Sequence, residues 1–428
     1  MTHVVVVGGG WAGCGAAIAA KKAGADRVTV LERTDMLLGT GLVGGIMRNN
    51  GRFTATEEMI AMGGGDLFEI CDRVSRHKNI EFPGHKHASL YDVAHIEPAV
   101  RKHLIDMGIN VRLMARVKDV ESNGQKVTAV IIDTGEKVEG DVFVETTGTA
   151  GPQGNCTKYG NGCAMCVYRC PTFGPRISIA AKIGVKEFMG KKQDGSIGAM
   201  SGSCKLHKDS LSKEIQDKLN STGVAVVPIP KELQKGEDAL TKKACQQYAL
   251  KEFNENVILL DTGHAKLMTS FYPLEQLRQI PGFESARFED PYAGGIGNSM
   301  RYLALSPREN TLKVIGADNL FCGGEKAGLL VGHTEAICTG TLAGHNAVRF
   351  LAKKELLELP VELAVGDAIA HVNERMKTEE GLGKKFTFSG SVYFARMQEI
   401  GLYTTDINEI KNRVGKAGMT GIFAKSVM

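Results

Sequence analysis

One N-terminal pattern constrains the fold of this chain more than any other. Residues 4–7 are four consecutive valines, which predict a strand buried on both faces within a parallel sheet. The turn Gly8-x-Gly10-x-x-Gly13 follows directly, and then a small-residue helix over residues 16–23. A second β-branched strand, residues 28–31, leads into Glu32. Strand, glycine turn, helix and acid in this order predict a dinucleotide-binding βαβ unit.

Each residue of this pattern has a physical role in holding a dinucleotide. Gly8 permits the tight turn, Gly10 lets a pyrophosphate approach the backbone, and Gly13 allows the helix to pack closely on the strand. The N–H groups at the helix N-terminus favour phosphate. Glu32, which Arg33 follows, is placed to accept hydrogen bonds from a ribose hydroxyl. Outside this context the glycines alone would indicate only a glycine-rich turn.

The composition excludes several classes of protein. A net charge of +4 over 428 residues gives no electrostatic argument for nucleic acid or an anionic membrane, and we expect neither partner. No apolar run reaches transmembrane length, and the N-terminus enters a core strand directly, so the sequence predicts a cytoplasmic protein. The ten cysteines are then expected to be free, metal-bound or redox-active rather than paired in disulfides.

Two further turns extend the predicted cofactor site. Residues 38–45 are rich in glycine, and the backbone at Gly44 and Gly45 is expected to approach a flat cofactor ring; the alternative is a flexible loop. A strand over residues 141–145 ends just before Thr147-Gly148. It fits the returning strand of a cofactor-binding domain, which delivers this turn to the ligand edge.

A second phosphate-type turn precedes the long small-residue helix that begins near residue 334. It contains Gly324, Glu325, Lys326 and Gly328. Strand, glycine turn, acid and helix N-terminus indicate a place for phosphate and ribityl groups, which favours FAD over NAD. Only one dinucleotide fingerprint is present, so an NAD(P)H donor would bind transiently elsewhere. Lys326 is expected to stabilise the negative charge of reduced flavin, and the alternative is a surface lysine at a helix start.

Two expectations concern local structure in the first third of the chain. Residues 92–107 are typical of an amphipathic helix with Asp92 as N-cap, in which Pro98 kinks the helix or delays its start. His77, His85 and His87 are expected as solvated loop side chains rather than metal ligands, because neither acidic residues nor cysteines lie beside them.

A cluster of four cysteines follows the returning strand. Cys156, Cys163, Cys166 and Cys170 form the pattern C-x6-C-x2-C-x3-C-P. Thiolates on short glycine-bearing loops converge readily, and the last spacing is similar to ferredoxin-type runs, so we expect a 4Fe–4S cluster. The same residues also fit an all-cysteine zinc site, a redox dithiol with Cys163 and Cys166 as the active pair, or unligated thiols.

Three stretches in the second half of the chain carry a resemblance to a known family. They are FYPLEQLRQIPGFE at residues 271–284, LFCGGEKAG at 320–328 and EAICTGTLAG at 335–344. They resemble the glucose-inhibited division protein A family, and the length is nearest its short branch, the folate- and FAD-dependent tRNA (uracil-5-)-methyltransferases. The resemblance implies a non-covalently bound FAD that contacts Glu32, Thr147-Gly148 and residues 324–328, with the backbone of Val117 at the adenine.

The chain departs from the methyltransferase branch at that branch's two catalytic cysteine motifs. Residues 36–70 contain no cysteine, and no Cys-Met-Pro-Ile-Glu-like stretch precedes Ile280. The resemblance therefore implies the flavin scaffold, and we expect no methyl transfer to tRNA.

Together these patterns predict an α/β fold. A Rossmann-like FAD-binding domain, with a parallel sheet, helices on one side and a β-meander, is expected over residues 1–150 and 271–352. An inserted α+β domain, which would bind the substrate and carry the cysteine cluster, is expected over residues 151–270. A helical C-terminal tail is expected over residues 353–428.

The predicted function is an FAD-dependent oxidoreductase. It would pass electrons between a donor and a small-molecule substrate or redox partner protein, through an iron–sulfur cluster near the flavin, with Cys163, Cys166 and Lys326 as catalytic residues. One alternative is a tRNA uridine methyltransferase-like enzyme, and another is a non-catalytic electron-transfer subunit. We expect a homo-oligomer or a subunit of a larger redox complex.

Overall fold

The computed structural model describes residues 1–148, 175–192, 195–200, 204–235, 250–269, 272–289, 300–301 and 304–428. The strands are β1 His3–Val7, β2 Arg27–Leu31, β3 Ile46–Met47, β4 Ser75–Phe82, β5 His85–Tyr91, β6 Asn110–Arg112, β7 Val117–Asn123, β8 Lys126–Ile132, β9 Lys137–Glu139, β10 Val142–Glu145, β11 Phe188–Met189, β12 Ala199–Met200, β13 Cys204–Leu206, β14 Val224–Pro228, β15 Asn256–Asp261, β16 Ala265–Leu267, β17 Met300–Arg301, β18 Ala304–Leu305 and β19 Leu320–Cys322. The helices are α1 Trp11–Lys22, α2 Gly41–Gly44, α3 Gly51–Ala61, α4 Asp66–Arg73, α5 Ile96–Asp106, α6 Ile179–Lys182, α7 Lys213–Thr222, α8 Glu252–Glu255, α9 Leu274–Leu277, α10 His333–Leu351, α11 Ala364–Met376, α12 Glu379–Leu382, α13 Ser391–Glu399 and α14 Ile407–Lys416, with 3₁₀ turns at Lys208–Ser210, Lys231–Leu233, Gly324–Ala327 and Ile422–Ala424.

A five-stranded parallel sheet forms the centre of the fold, in the order β19-β10-β1-β2-β6. Strand β1 pairs with β10 on one side and β2 on the other, and Val4 to Val6 are completely buried. A strand covered on both faces is continuously apolar, which is why four valines occur in a row. The strands β7, β8 and β9 form the antiparallel meander. The predicted fold class is therefore confirmed.

Helices α1 and α10 pack against each other and the sheet with their backbones in close approach. A Cβ on Gly340 would overlap the Ala12 carbonyl, and one on Gly344 would overlap the Ala16 carbonyl. Small residues on both helices thus permit the contact and bring the N-termini of both helices to the same region. Within the described part of the chain, no helix is both long and apolar enough to span a bilayer.

A second apolar core lies around the antiparallel sheet β13-β16-β15-β14. We call the part of the chain from residue 204 to residue 289 the second module. Its core includes Tyr272, Leu277 and Phe283. The segment after Tyr272 thus packs with the second module, where the sequence had indicated a return to the first domain. The predicted domain limits stay a prediction.

The C-terminal helices pack onto the first part of the chain. The buried carboxylate of Glu58 accepts hydrogen bonds from the N–H groups of Ala364 and Val365 at 2.9 and 3.0 Å, at the start of α11. The N–H of Phe423 donates to the Met62 carbonyl at 2.8 Å. These residues belong to the same apolar core as β1 and α1 or lie directly against it.

Two local predictions differ from the structure. For the helix over residues 92–107 the delayed start at Pro98 is confirmed and Asp92 as N-cap was wrong, and the loop placement of the three histidines was wrong. Helix α5 begins at Ile96 with His95 as N-cap, because Pro98 is acceptable only in the first turn and the start is delayed; Asp92 instead accepts a hydrogen bond from Ala94 N at 2.9 Å. His77, His85 and His87 lie in strands β4 and β5 rather than in a loop. His85 is buried between its strand neighbours, with Nδ1 2.9 Å from Asn49 Nδ2.

The titration of His345 predicts a loss of stability in acid. His345 is wholly buried on α10 against Phe423, with ring centroids 5.4 Å apart, and burial lowers its pKa from 6.5 to about 4. The unfolded chain therefore binds this proton more tightly than the folded one. The contribution to the free energy of unfolding is present above pH 6.5 and falls as the pH drops towards 4, by about 2 kcal/mol between about pH 7 and pH 5.

Replacement by a non-titrating ring should remove this contribution. We expect His345→Phe to lose less stability than wild type when the pH is lowered from about 7 to 5, measured by urea denaturation at both values. Val348→Ala is the control, because it removes buried methyl groups from the same helix without changing a titrating side chain, and it should keep the wild-type pH dependence. An unchanged pH dependence in His345→Phe would show that another group governs acid stability.

Candidate functional site

The predicted cofactor turns converge on one edge of the parallel sheet. The turns at Gly8, Glu32, Thr146 and Gly323 directly follow β1, β2, β10 and β19. Because these strands are parallel, their carboxyl ends lie at the same edge. The chain runs from β1 to β2 on one side and returns as β10 on the other, and a crevice for a ligand lies at such a switch point.

The β1–α1 turn has the geometry that the glycine motif predicts. Gly8 has a φ of +104°, and a Cβ on it would lie 2.5 Å from the Thr146 carbonyl oxygen. A Cβ on Gly13 would overlap the carbonyl of Gly8. Gly10 differs from both, since its φ is −69° and a Cβ would meet no atom within 4 Å. The motif therefore combines two glycines that packing requires with one that faces open space.

The N-terminus of α1 is available to an anion. Gly10 is its N-cap, and no side chain caps this end of the helix. The first turn also carries no acidic side chain. Together with the open space at Gly10, this arrangement fits a pyrophosphate.

Glu32 is held in place at the end of β2. Its carboxylate accepts hydrogen bonds from Gly9 N at 2.8 Å and from Thr34 N at 2.9 Å, and the residue is only 6% exposed. The carbonyl of Glu32 accepts from Ala115 N at 2.8 Å, which brings the start of β7, with buried Val117, to this end of the site. Arg33 is half-buried beside it. Their contacts with an adenosine group stay predictions.

The glycine-rich stretch at residues 39–45 is packed against side chains from three other parts of the chain. A Cβ on Gly44 would overlap the ring of His333, and a Cβ on Gly45 would overlap the side chain of Thr262. The Tyr91 N–H donates to the Gly45 carbonyl at 3.0 Å. Gly39 alone of these glycines faces open space, as Gly10 does. This packing disfavours the flexible-loop interpretation, and contact with a cofactor ring stays a prediction.

Sequence reasoning missed an aromatic cluster at the same place, formed by Trp11, Tyr91 and His333. Trp11 is the first residue of α1 and His333 the first of α10, and their ring centroids lie 6.1 Å apart. The Tyr91 hydroxyl donates to the Gly41 carbonyl at 2.6 Å and lies 3.4 Å from His333 Nδ1. A usable signal existed, because each of the two helix residues directly follows a glycine, Trp11 after Gly10 and His333 after Gly332.

The second glycine turn leads into another uncapped helix. Gly324 has a φ of +66°, and its N–H donates to the Thr339 hydroxyl at 2.9 Å. Glu325 is half-buried, and Gly328 has a φ of +143°. Gly332 is the N-cap of α10, which no side chain caps. The N-termini of α1 and α10 therefore lie close together, but α10 differs from α1 because its first turn carries the buried Glu335.

Lys326 does not lie at the surface, so that alternative was wrong. It is 1% exposed, and its Nζ donates to Ser178 Oγ at 2.9 Å and to the carboxylate of Glu187. The Glu145 Oε1 lies 3.7 Å away. Burial alone would lower the pKa of Lys326, but the two carboxylates outweigh it and raise the pKa above its usual value. The Lys326 ammonium is therefore paired with the carboxylates of Glu145 and Glu187, which we call the ion network. A role of Lys326 at the flavin stays a prediction.

Glu145 holds the start of α6. Its Oε1 accepts from Ile179 N at 2.9 Å and its Oε2 from Ala180 N at 3.0 Å, at the start of α6. Burial raises the pKa of this carboxyl above its usual value, against the opposing effect of Lys326. The turn that ends in Gly148 lies beside this network, since the Thr147 hydroxyl donates to Glu145 Oε1 at 3.2 Å.

The four patterned cysteines, Cys156, Cys163, Cys166 and Cys170, lie outside the described residues. Burial raises the pKa of four other thiols, so these remain protonated and poor nucleophiles: Cys14, Cys71, Cys322 and Cys338. In the part of the chain that the structure describes, no group of three histidine, cysteine or acidic side chains is arranged to hold a metal.

Comparison with known proteins identifies one family model. The model for glucose inhibited division protein A matches residues 3–258 and 240–355. No curated protein matches the chain significantly. Among solved structures, the chain is similar to Aquifex aeolicus GidA in its form II crystal, with a TM-score of 0.68 and 17% identity over 98% of this chain and 73% of that one. For the form I crystal of the same protein, the TM-score is 0.62 and the identity 16%, over 97% of this chain and 78% of that one. At these identities the structures establish the fold alone.

The ion network predicts the effect of removing the Lys326 charge. Lys326→Met leaves the Glu145 and Glu187 carboxylates without their cation, and the cost of an unpaired buried charge is about 3–5 kcal/mol of unfolding free energy. Chemical denaturation measures it. Lys182→Met is the control, because the Lys182–Asp119 pair is about half exposed and should be worth at most about 1 kcal/mol. Adding Glu145→Gln to Lys326→Met should restore part of the loss; equal stability of the two lysine variants would contradict the network.

Proposed function

Because the chain belongs to the glucose inhibited division protein A family, a family of FAD-dependent proteins, we propose that it is an FAD-dependent oxidoreductase. It would pass electrons between a donor and a small-molecule substrate or a redox partner protein. One observation carries the proposal: four turns of cofactor type meet at the switch point of the parallel sheet. The described residues fit FAD, since Gly10 faces open space beside an uncapped helix N-terminus.

Each part of the site would have its own task toward the cofactor. The Gly10 turn and the first turn of α1 would bind the pyrophosphate, and Glu32 would accept hydrogen bonds from a ribose hydroxyl. The backbone of Val117, Thr147-Gly148 and residues 324–328 would complete the binding surface. Bound FAD supplies two-electron and one-electron chemistry. The protein's own part is to position the ring, exclude water and set the charge around it.

Gly10 tests the FAD proposal separately from the fold. Gly10→Val should keep the thermal stability of the apoprotein, because the backbone angle is ordinary and no atom lies within 4 Å of the new Cβ. It should nevertheless be colourless, because the side chain would occupy the place of the pyrophosphate. Wild type should release FAD rather than FMN on denaturation. The visible spectrum and differential scanning calorimetry measure the two effects.

Gly13→Val is the matched control, since its side chain would overlap the Gly8 carbonyl and lower the stability itself. A Gly10→Val protein that is yellow with full FAD occupancy would exclude this turn as the pyrophosphate site.

The proposal includes a 4Fe–4S cluster on Cys156, Cys163, Cys166 and Cys170 as an electron relay to the flavin. The residues on either side of the cysteine pattern support a position near the cofactor turn. Gly148 ends that turn, and the Ile179 N–H donates a hydrogen bond to Glu145, which lies three residues before Gly148. Cys156 follows Gly148 by eight residues, which span at most about 27 Å when fully extended. An NAD(P)H donor would reduce the flavin during a transient encounter. A zinc site or a Cys163–Cys166 dithiol are the alternatives.

Metal analysis of anaerobically purified protein tests the cluster. We expect about four iron and four sulfide per chain, and Cys166→Ser should lose the broad visible absorption of the cluster while the flavin bands remain. Cys71→Ala, at a buried cysteine outside the pattern, should keep both spectra. About one zinc per chain, or no metal, would rule out the cluster and leave the zinc or dithiol alternative. Unchanged flavin reduction in an iron-free Cys166→Ser protein would rule out the relay.

Family membership also supports a second candidate, an enzyme that modifies tRNA uridine as the family's short branch does. It weakens the expectation that nucleic acid is not a partner, which rested on net charge alone. The two missing cysteine motifs argue against methyl transfer by that branch's chemistry. The oxidoreductase proposal is therefore preferred, and an electron-transfer subunit without its own turnover remains the third candidate.

A further inference from the structure

A buried arginine, Arg308, lies against the second glycine turn. The residue is 2% exposed, and its Nε donates to the Ala327 carbonyl at 2.6 Å. Its Nη2 donates to the Ile369 carbonyl on α11 at 3.0 Å, and its Nη1 donates to the Glu309 carbonyl at 3.2 Å. The guanidinium therefore joins residues 324–328, which are predicted to contact FAD, to the C-terminal helices.

All three acceptors of Arg308 are neutral backbone carbonyls. Among the described residues, no carboxylate pairs with Arg308, and the titratable group that influences its charge is the Cys322 thiol. Burial raises the pKa of Cys322 to about 12, so this thiol is uncharged at neutral pH. Burial lowers the pKa of Arg308 to about 10, which leaves the guanidinium charged. The described part of the chain thus buries this cation without neutralising it.

The charge of Arg308 needs a physical reason beyond its hydrogen bonds. Moving a charged group out of water costs more free energy than moving an uncharged amide. An uncharged donor, such as a glutamine amide, could satisfy backbone carbonyls at this lower cost. Packing and hydrogen bonding therefore explain why Arg308 carries donors, but they do not explain why it is charged. A negative group held at the 324–328 turn would explain the charge.

Lys326, in the same turn, does not offer such a charge to a ligand. Its ammonium is paired with Glu187 and Glu145 in the ion network. One ammonium between two carboxylates leaves no surplus of positive charge. The two buried cations therefore differ in kind, because the ion network neutralises Lys326 and no described carboxylate neutralises Arg308.

The peptide between Ala327 and Gly328 connects Arg308 with the turn. Because a trans peptide is planar, its C=O and N–H groups point in opposite directions. The Ala327 carbonyl points to the guanidinium, so the Gly328 N–H points away from it, and this N–H makes a long bond of 3.4 Å to the Glu325 carbonyl. A cation bonded to the carbonyl polarises the peptide and makes the N–H a stronger donor. A Cβ on Gly328 would lie 2.8 Å from Met376 Sδ, so α11 packs on the peptide and holds it in this orientation.

We propose that Arg308 stabilises the negative charge of reduced flavin, which is the role that the sequence predicts for Lys326. The proposal rests on the proposed FAD function and deepens it by naming the cation. A hydride from the NAD(P)H donor adds two electrons and one proton to the neutral ring and leaves one negative charge on it, while the donor becomes oxidised NAD(P). Arg308 acts through the low-dielectric interior and through the Ala327–Gly328 peptide, so it is a positioning residue and not a catalytic one.

The reduction potential of the bound FAD, measured by equilibration with redox dyes, reports this effect without any substrate. Arg308→Gln removes the charge and keeps an amide that can donate to the Ala327 carbonyl. We expect this variant to bind reduced FAD about tenfold more weakly relative to oxidised FAD, as for the loss of one partly screened charge. A tenfold change lowers a two-electron potential by about 30 mV. Arg308→Lys keeps the charge and should remain close to wild type at neutral pH.

Arg349→Met is the matched control. Arg349 also donates to a backbone carbonyl, that of Glu355 at 2.6 Å, but it is exposed and lies in the last turn of α10, at the end opposite the cofactor edge. This variant should keep the wild-type potential. Thermal melting and FAD content are compared across all variants, so that a folding defect is recognised. The same potential in Arg308→Gln and wild type would overturn the proposal, as would an equal shift in Arg349→Met.

Arg308→Lys decides the question if Arg308→Gln does not fold. A buried ammonium loses its proton far more readily than a guanidinium, so the potential of Arg308→Lys should fall below that of wild type as the pH is raised from about 7 to about 10. A difference that stays constant over this range would contradict the proposal. Wild-type protein without FAD would refute the proposed function and this assignment together, whereas equal potentials in FAD-loaded wild type and Arg308→Gln would refute the assignment alone.

Discussion

The parallel pairing of β1 with a neighbour on each side is the constraint on which the rest of the structure depends. With β10 on one side and β2 on the other, the turns after all three strands must meet at one edge. The Thr146 hydroxyl then bridges the two central strands by donating to the Val7 and Gly8 carbonyls at 3.0 and 2.7 Å. The cofactor edge is thus a consequence of burying a four-valine strand on both faces.

Because of this constraint, the glycines of the motif occur for different physical reasons. Gly8 and Gly13 are required by the protein itself, since a Cβ on either would meet backbone of the sheet or of the turn. Gly39 meets nothing within 4 Å, but its φ of +46° favours glycine by itself. Gly10 also meets nothing within 4 Å, and its φ of −69° is ordinary, so neither packing nor backbone conformation gives a reason for this glycine. Glycine where packing does not demand it indicates a place kept free for something else. A sequence motif alone does not distinguish these two causes.

The sequence could predict what depends on neighbouring residues. The central strands and the meander followed from valine runs and alternation. It could not predict that the segment after Tyr272 packs with β13–β16, because that choice depends on which distant apolar face it meets. The environment of His77 is not predictable for the same reason, because its partner Asp261 is 184 residues away.

The charges of the candidate site also depend on residues that are distant in the sequence. A glycine turn can be recognised from its spacing, but the environment of Lys326 depends on Glu145 and Glu187, which belong to other parts of the fold. Buried beside two carboxylates, this lysine adds no net positive potential at the cofactor edge. Lys266 and Lys205 are 61 residues apart and become neighbours only through strand register.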